Sequence, residues 1–264
     1  MPRHGLRPGS RADAAFVEQE CEKLGISCHV KHEQGPQPGQ NVESWGRTAR
    51  YRFFAEVMQE RSLDVVLTAH NANDVAETLL MRLLANKEMR TIARRDERRR
   101  CTRPFLEVSR KTIDEYNRDH GVVFIDDESN NDLSFLRNKI RHRLIPFLED
   151  EFDPRIVEVL ALRALSLDED EEALALIAEE ASRPLEGRGV EEDGWPGLFR
   201  EAGSQYPPAV RWRMIERLFL PILGFKPGRF HAKEALDILW RKREGMEFPG
   251  GTRLNRSHGR LKLR

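Results

Sequence analysis

Two carboxylates three residues apart follow an apolar run that has the length of a buried strand. The run is Leu63–Thr68, and the polar segment behind it contains His70, Asp74 and Glu77. A spacing of three residues places Asp74 and Glu77 on one face of a helix. Carboxylates in this arrangement can hold Mg²⁺ or the ammonium group of a ligand. The alternative is that Asp74 only stabilises the positive N-terminal end of a helix.

Two arginines four residues apart form a second candidate site. A polar, turn-forming segment, Asp126–Asp132, precedes an apolar helical pattern that contains Arg137 and Arg141. Residues four apart lie on one helical face, and each guanidinium group offers a fork of donors that fits a phosphate. The alternative is a capped helix whose arginines face solvent.

The charged residues are balanced in number but separated along the chain. The 264 residues contain 44 Lys and Arg and 44 Asp and Glu, which excludes a uniformly cationic nucleic-acid binder. Basic blocks occur at residues 90–103, 137–143 and 253–264, and residues 168–193 carry eleven carboxylates. Three basic blocks favour a polyanion bound along an extended surface, although each block alone also fits a solvated helix face or loop. The acidic segment is predicted to be a solvated helix and linker that faces away from phosphate.

Composition and cysteine usage are typical of a globular cytoplasmic protein. Hydrophobic residues make up 39% of the chain and charged residues 33%, with a mean hydropathy of −0.63. No apolar run approaches the ~20 residues of a membrane helix, and the first residues do not resemble a secretory signal. Three cysteines without paired spacing predict a reduced chain.

The order of the predicted elements indicates parallel strands joined by crossover helices. Helices are predicted around residues 10–24, 41–57 and 74–84, and strands at Ile26–Val30 and Leu63–Thr68. This alternation is typical of α/β proteins, in which ligands bind beyond the carboxyl ends of the strands. Residues 69–74 are therefore expected to lie at a binding site.

Further along the chain the pattern becomes mainly helical. Residues 90–103 are predicted to form a basic loop, and Val122–Ile125 another strand. Pro146 is expected to kink or restart a helix that begins near Ser134, because proline cannot continue a regular helix. Later helices are expected at residues 155–182, 208–220 and 229–242, followed by short antiparallel strands. We expect two domains, residues 1–150 and 151–264.

Five short motifs occur in the order found in one known family. They are His4-Gly-Leu-Arg7, the stretch His70–Thr78, Arg103-Pro-Phe-Leu with Ser109-Arg-Lys-Thr-Ile113, Asp127-Glu-Ser-Asn130, and Phe135-Leu-Arg-Asn-Lys-Ile-Arg-His-Arg-Leu-Ile-Pro146. Over residues 4–150 the chain resembles the tRNA(Ile)-lysidine synthetase family of N-type ATP pyrophosphatases, or PP-loop proteins. Beyond residue 150 the resemblance is weaker and rests on Phe248–Leu254 and Gly259–Leu263.

The resemblance implies a fold and a reaction. The fold would be α/β, a parallel sheet with flanking helices of the adenine nucleotide α-hydrolase type, shortened at its N-terminus. A helical and small α+β C-terminal domain of the tRNA-binding type would follow. In the family, ATP adenylates the C2 oxygen of the wobble cytidine in a CAU anticodon, and the ε-amine of free L-lysine displaces AMP. The implied cofactors are ATP and Mg²⁺. The implied partners are tRNA(Ile) and free L-lysine, and no membrane is involved. Whether the protein forms a homodimer is left open.

The resemblance also implies roles for individual residues. The catalytic residues would be Asp74, Glu77 and His70, with Asp74 a candidate ligand of Mg²⁺. The nucleotide would be contacted by His4, Arg7 and Arg103. The tRNA or its phosphates would be contacted by Asn130, Arg137, Asn138 and Arg141.

The sequence also departs from the family pattern. The family motif S-G-G-x-D-S, whose backbone amides would hold the pyrophosphate, does not occur in it, and Asn71 and Asn73 stand where the family has ionisable residues. We therefore expect that the chain as printed hydrolyses no ATP. One alternative is a non-catalytic RNA-binding remnant. Another is a tRNA thiolase, but the sequence lacks the cysteine pairs with which that class holds a cluster.

Overall fold

The computed structural model describes residues 2–3, 10–33, 35–40, 42–85, 90–125, 131–257 and 260–264. The chain divides into two compact units, residues 1–85 with 91–164 and residues 86–90 with 165–264. The division falls inside the long helix Ile156–Ser182, whereas the sequence predicted a boundary after residue 150.

The N-terminal unit alternates short strands with helices, as an α/β fold requires. The elements in order are β1 (Pro2–Arg3), α1 (Ser10–Lys23), β2 (Lys31–His32), α2 (Val42–Glu60), β3 (Val66–Leu67), α3 (Ala72–Leu84), β4 (Arg95–Asp96) and β5 (Cys101–Thr102). Strand β1 pairs in parallel with β2, and β3 pairs in parallel with β5, which also pairs antiparallel with β4. Each parallel pair is joined through at least one helix, because parallel strands need a crossover connection.

Two of the predicted strands are wrong, and one predicted loop contains strands. Ile26–Val30 is irregular, and the strand lies at Lys31–His32 instead. Val122–Ile125 pairs with no other described segment, and all four of its apolar side chains are exposed. The apolar pattern predicted strands there, but a strand also needs a neighbour with which its backbone can pair. Residues 90–103 contain β4 and β5, because this segment turns back and pairs with itself.

The remainder of the N-terminal unit is helical and supplies the second half of the site. Helix α4 (Arg110–Asp119) is followed by α5 (Leu136–Lys139), a π-helical turn (Ile140–Leu144) and α6 (Ile145–Glu151). Pro146 lies in the first turn of α6, so the prediction that it restarts a helix is confirmed.

The C-terminal unit combines helices with a small antiparallel sheet. After α7 (Ile156–Ser182) and a 3₁₀ turn (Arg183–Leu185) come α8 (Trp195–Ser204), α9 (Pro208–Leu223), α10 (Arg229–Leu239), β6 (Gly245–Glu247), β7 (Arg253–Ser257) and β8 (Arg260–Leu263). The three strands pair in sequence order. Fully buried aromatic and aliphatic side chains form the core, among them Trp195, Phe199, Phe219, Phe248 and Leu254. Within the described residues, every helix is too short or too polar to cross a membrane.

Candidate functional site

Helix α3 begins at a polar turn that follows strand β3. The Asn71 side chain accepts a hydrogen bond from the backbone N–H of Asp74 (3.2 Å), and the Asp74 carboxylate accepts one from the backbone N–H of Asn71 (3.0 Å). This reciprocal pair is a capping box, which satisfies donors that a helix start leaves without partners. It fixes the first turn of α3, and with it the direction of the Asp74 carboxylate.

A second segment, about sixty residues further along the chain, meets the carboxylates of α3. Arg137 donates from Nε to Glu77 Oε2 (2.6 Å) and from Nη2 to Asp74 Oδ1 (2.7 Å). Arg141 donates to both oxygens of Glu77, at 2.6 and 3.1 Å, and its Nη2 lies 3.9 Å from Asp74 Oδ1. The two candidate sites predicted from the sequence are therefore one site. We name these four residues the carboxylate–arginine cluster.

The four side chains differ in their access to solvent. The Glu77 side chain is 0% exposed and that of Asp74 is 20% exposed, while those of Arg137 and Arg141 are 31% and 33% exposed. A fully buried carboxylate needs opposite charge and hydrogen bonds around it, and the two arginines supply both. Glu77 is thus the inner member of the cluster, and the side chains of Asp74 and both arginines are partly accessible to solvent.

The cluster does not fit the Mg²⁺ ion that the sequence placed at Asp74. Both Glu77 oxygens accept hydrogen bonds from arginines. The Asp74 oxygens accept hydrogen bonds from the Arg137 side chain and from the backbone N–H of Asn71. Mg²⁺ needs a near-octahedral set of oxygen ligands, and the only two carboxylates of the cluster are already balanced by two guanidinium charges. Each Asp74 oxygen keeps one further acceptor site, which is enough for a single hydrogen-bond donor but not for the ligand set of a divalent ion. No group of three or more His, Cys, Asp or Glu side chains within the described ranges is arranged to hold a metal ion.

The backbone of the second segment changes from an α-helix to a π-helical turn between the two arginines. Arg137 lies in α5 and Arg141 in the π-helical turn, where the N–H of Ile145 donates to the carbonyl of Ile140. Pro146 follows at once and has no N–H, so the next α-helical hydrogen bond cannot form. π-Helical turns are rare and occur often at functional sites. The π-helical turn contains Arg141 and is therefore part of the carboxylate–arginine cluster.

His70 lies in the turn between β3 and α3. Its Nδ1 is 2.8 Å from the Thr68 hydroxyl oxygen. Burial lowers the pKa of His70; the charge of Asp74 acts in the opposite direction, and the charges of Arg103 and Arg137 lower the pKa further. Burial therefore favours the neutral imidazole over its protonated form.

Arg103 is buried, and its described contacts are structural. Its guanidinium group donates to the Ala93 carbonyl (2.5 Å) and to the Tyr51 hydroxyl (3.0 Å). The Tyr51 ring in turn lies against the guanidinium groups of Arg47 and Arg99, at 5.0 and 4.6 Å from the ring centroid. These contacts attach the β4–β5 segment to α2. A contact between Arg103 and a nucleotide stays a prediction.

Three asparagines hold the turns around the cluster. Besides the Asn71 cap, Asn73 Oδ1 accepts a hydrogen bond from the N–H of Arg110 at the start of α4 (2.8 Å). The Asn138 amide is buried and donates to the Asp132 carbonyl (2.9 Å). Asn71 and Asn73 replace ionisable residues of the family pattern. Asn71 caps α3, and Asn73 accepts the first N–H of α4, whose N-cap residue is Ser109.

Not every predicted site residue can be compared with the structure. His4, Arg7 and Asn130 lie outside the described residues, so their roles stay predictions. The sequence reasoning missed the capping role of Asn71, although the spacing of Asn71 and Asp74 is itself a capping-box signal. It also missed Tyr51, which is 52 residues from Arg103 and leaves no local signal of their contact.

The chain is similar in sequence to known proteins of one family. The family model of the PP-loop domain ATP_bind_3 matches residues 2–148. A tRNA(Ile)-lysidine synthase of Clostridium perfringens (strain 13) is 34% identical over 267 residues, which cover 98% of this chain and 55% of that protein. One from Thermobifida fusca (strain YX) is 32% identical over 271 residues, which cover 98% of this chain and 79% of that protein. The chain thus spans about half the length of the Clostridium relative.

A solved structure shares the fold. The U34-tRNA thiolase NcsA from Methanococcus maripaludis, determined with its [4Fe-4S] cluster, superposes with a TM-score of 0.54 and 14% identity over 64% of this chain and 61% of that one. This likeness supports the PP-loop α/β fold and nothing further. The family model and the sequence relatives lead to one conclusion: the chain belongs to the tRNA(Ile)-lysidine synthase family of PP-loop proteins.

Proposed function

We propose that this chain supplies the lysine- and tRNA-binding residues of an ATP-dependent lysidine synthase in the cytoplasm. In the first step the C2 oxygen of the wobble cytidine, in the CAU anticodon of tRNA(Ile), attacks the α-phosphorus of ATP and releases pyrophosphate. In the second step the ε-amine of lysine attacks C2, and AMP leaves. The observation that carries the proposal is the carboxylate–arginine cluster at the start of α3 in a PP-loop domain.

Each member of the site has a role in this proposal. Asp74, the more exposed carboxylate, would receive the ammonium group of lysine. Glu77 would hold Arg137 and Arg141, whose exposed edges would bind a phosphate of the RNA or of the departing AMP. His70, whose neutral form is favoured by burial, would accept the proton that the amine loses, because only a neutral amine can attack.

We also propose that residues 1–264 by themselves form no adenylate. The printed sequence contains no S-G-G-x-D-S motif that could hold pyrophosphate. The purified chain should therefore show no ATP–pyrophosphate exchange in the presence of Mg²⁺, and exchange above background would contradict this part of the proposal.

Binding of lysine tests the proposed role of Asp74. By calorimetry, L-lysine should bind and L-norleucine, which lacks the ε-amine, should not. The substitution D74N should weaken lysine binding at least about tenfold, since a hydrogen bond to a charged group is lost. The matched control is D114N, at an exposed aspartate that pairs with Arg110 in the same unit; it should leave lysine affinity unchanged. Equal affinities for lysine and norleucine would overturn the assignment.

Binding of RNA distinguishes the proposal from a non-catalytic RNA-binding remnant. The remnant is favoured by the exposed arginines of the segment between β4 and β5, which need no lysine site to bind RNA. An anticodon stem-loop with CAU should bind more tightly than the same stem-loop with UAU if the chain recognises the wobble cytidine. A remnant would bind both equally and would bind no lysine.

A further inference from the structure

Strand β7 turns one arginine towards the core of the C-terminal unit. Residues two apart on a strand share a face, so Arg256 lies on the same face as Leu254, which is fully buried. The Nη1 atom of Arg256 is also buried, and it has no hydrogen-bond partner among the described residues. A buried donor without a partner lowers the stability of the fold, so an acceptor bound at this atom would stabilise it.

Two further arginines lie near Arg256. Arg200 in α8 donates to the Leu239 carbonyl at the end of α10 (3.0 Å), and Arg241 follows Leu239 by two residues. The backbone N–H of Arg256 donates to the Glu244 carbonyl (2.9 Å). The segment from Leu239 to Glu244 therefore contacts both Arg200 and Arg256, and it contains Arg241. Burial lowers the pKa of Arg256, and the positive charges of Arg241 and Arg200 lower it further.

These three arginines have no carboxylate partner among the described residues. Five other arginines of this unit do form ion pairs; the pairs are Arg213 with Glu171, Arg217 with Glu179 and Glu186, Arg243 with Glu234, Arg253 with Glu247, and Arg260 with Asp193. Within the part of the chain that the structure describes, Arg200, Arg241 and Arg256 form none. Three like charges, one of them partly withdrawn from water, repel one another unless an anion lies between them.

We propose that Arg200, Arg241 and Arg256 form a binding site for a phosphate group. Guanidinium groups present paired donors that match phosphate oxygens. Arg241 is exposed, whereas Arg200 and Arg256 are half-buried. The phosphate can be a free ion or part of an RNA backbone, and both present the same oxygens. The inference does not depend on the ligation chemistry, because it concerns residues of the C-terminal unit alone.

Thermal unfolding of the complete chain tests the site with inorganic phosphate as the probe. Sodium phosphate, compared with sodium chloride at equal ionic strength, should raise the melting temperature of the unsubstituted protein. R256Q should lose this response, with an apparent affinity for phosphate lower by at least about tenfold. In phosphate-free buffer R256Q should melt at or above the temperature of the parent, because a desolvated charge beside two like charges is removed. A purely structural role would instead lower the melting temperature in both buffers.

The matched control is R253Q. Arg253 lies on the same strand, faces the opposite side and pairs with Glu247, so the substitution makes the same change in net charge. It should respond to phosphate as the parent does. A second variant, R241G, is chosen because it should keep its fold. Arg241 has a φ of +62°, in the left-handed region that glycine adopts without strain. R241G should fold and should lose the phosphate response.

A short RNA duplex separates the two sources of phosphate. A phosphate response that both R256Q and R241G lose, and R253Q keeps, supports the site with a free ion. If phosphate has no effect but R256Q and R241G bind the duplex at least about tenfold more weakly than R253Q does, the site binds RNA backbone. If all three variants behave alike towards phosphate and towards RNA, the proposal is overturned.

Discussion

Glu77 is buried although it carries a charge, and both of its oxygens accept hydrogen bonds from guanidinium groups. The side chains of Arg137 and Arg141 are each about one-third exposed. In these ion pairs the carboxylate is therefore buried, whereas the guanidinium groups are partly accessible to solvent. Breaking such a pair by removing one partner is costly, because the other charges lose their compensation. Glu77 therefore stabilises the fold and at the same time fixes the direction of both arginines.

The substitution E77Q should lower the free energy of unfolding by about 3 kcal/mol, since two partly buried guanidinium groups lose their counter-charge. Urea-induced unfolding measures this change. The control is E107Q, at an exposed glutamate that pairs with exposed Arg94, where a loss of less than about 1 kcal/mol is expected. Equal losses for the two variants would show that burial of Glu77 contributes nothing.

The pKa of His70 makes stability depend on pH. Burial holds this pKa below its value of about 6.5 in the unfolded chain. As the pH falls below about 6.5, the unfolded chain binds the proton before the folded protein does, so the folded protein loses stability with a slope of up to about 1.4 kcal/mol per pH unit. The contribution is complete above the unfolded pKa and is lost as the pH falls to the folded pKa.

The variant H70Q should lack this part of the pH dependence. Unfolding in urea between pH 7 and pH 5 should therefore give a shallower slope for H70Q than for the unsubstituted protein. An NMR titration that places the midpoint of His70 at or above about 6.5 would contradict the prediction.

Two asparagines at the start of α3 accept hydrogen bonds from the first turns of α3 and α4. Asn71 caps its own helix, while Asn73 reaches the first N–H of α4. The start of α3 therefore orients two helices, and Asp74 lies in this same first turn of α3. The amides at these positions are explained by capping, which needs an acceptor oxygen but no ionisable group.

Removal of either cap should be measurable. N71A and N73A should each lower the free energy of unfolding by about 1 kcal/mol, because each leaves a helix-terminal N–H without its acceptor. N73D should restore stability, since a carboxylate oxygen can accept the same hydrogen bond. N131A, at an exposed asparagine whose side chain has no hydrogen-bond partner among the described residues, should change stability by less than about 0.5 kcal/mol. A loss in N131A as large as that in N73A would rule out a specific effect of capping.

At the scale of the whole molecule, charge is balanced within the C-terminal unit. The acidic segment predicted to face away from phosphate instead pairs with arginines of its own unit, such as Glu179 and Glu186 with Arg217. Arg260 of the last basic block pairs with Asp193. In the N-terminal unit, by contrast, the side chains of Arg98 and Arg100 are exposed and form no ion pair with any described residue. The basic blocks are therefore unequal as surfaces for a polyanion.

The salt dependence of RNA binding should reveal this inequality. The double variant R98Q/R100Q should reduce the slope of log affinity against log salt concentration by about 1.5–2, because two phosphate contacts are lost. R253Q/R260Q removes the same charge from arginines that already have carboxylate partners. It should change the slope by less than about 0.5. Equal slopes for the two double variants would contradict the prediction.

The sequence alone determined the family, the α/β class and the position of α3, since motif order and helical periodicity are local properties of the chain. It could not show that Arg137 and Arg141 meet Asp74 and Glu77, because those pairs lie 60 to 64 residues apart. It also predicted a strand at Val122–Ile125, where an apolar run has no neighbour in the described structure. Only the tertiary structure decided these points, because ion pairs and strand pairing depend on which distant segments the fold brings into contact.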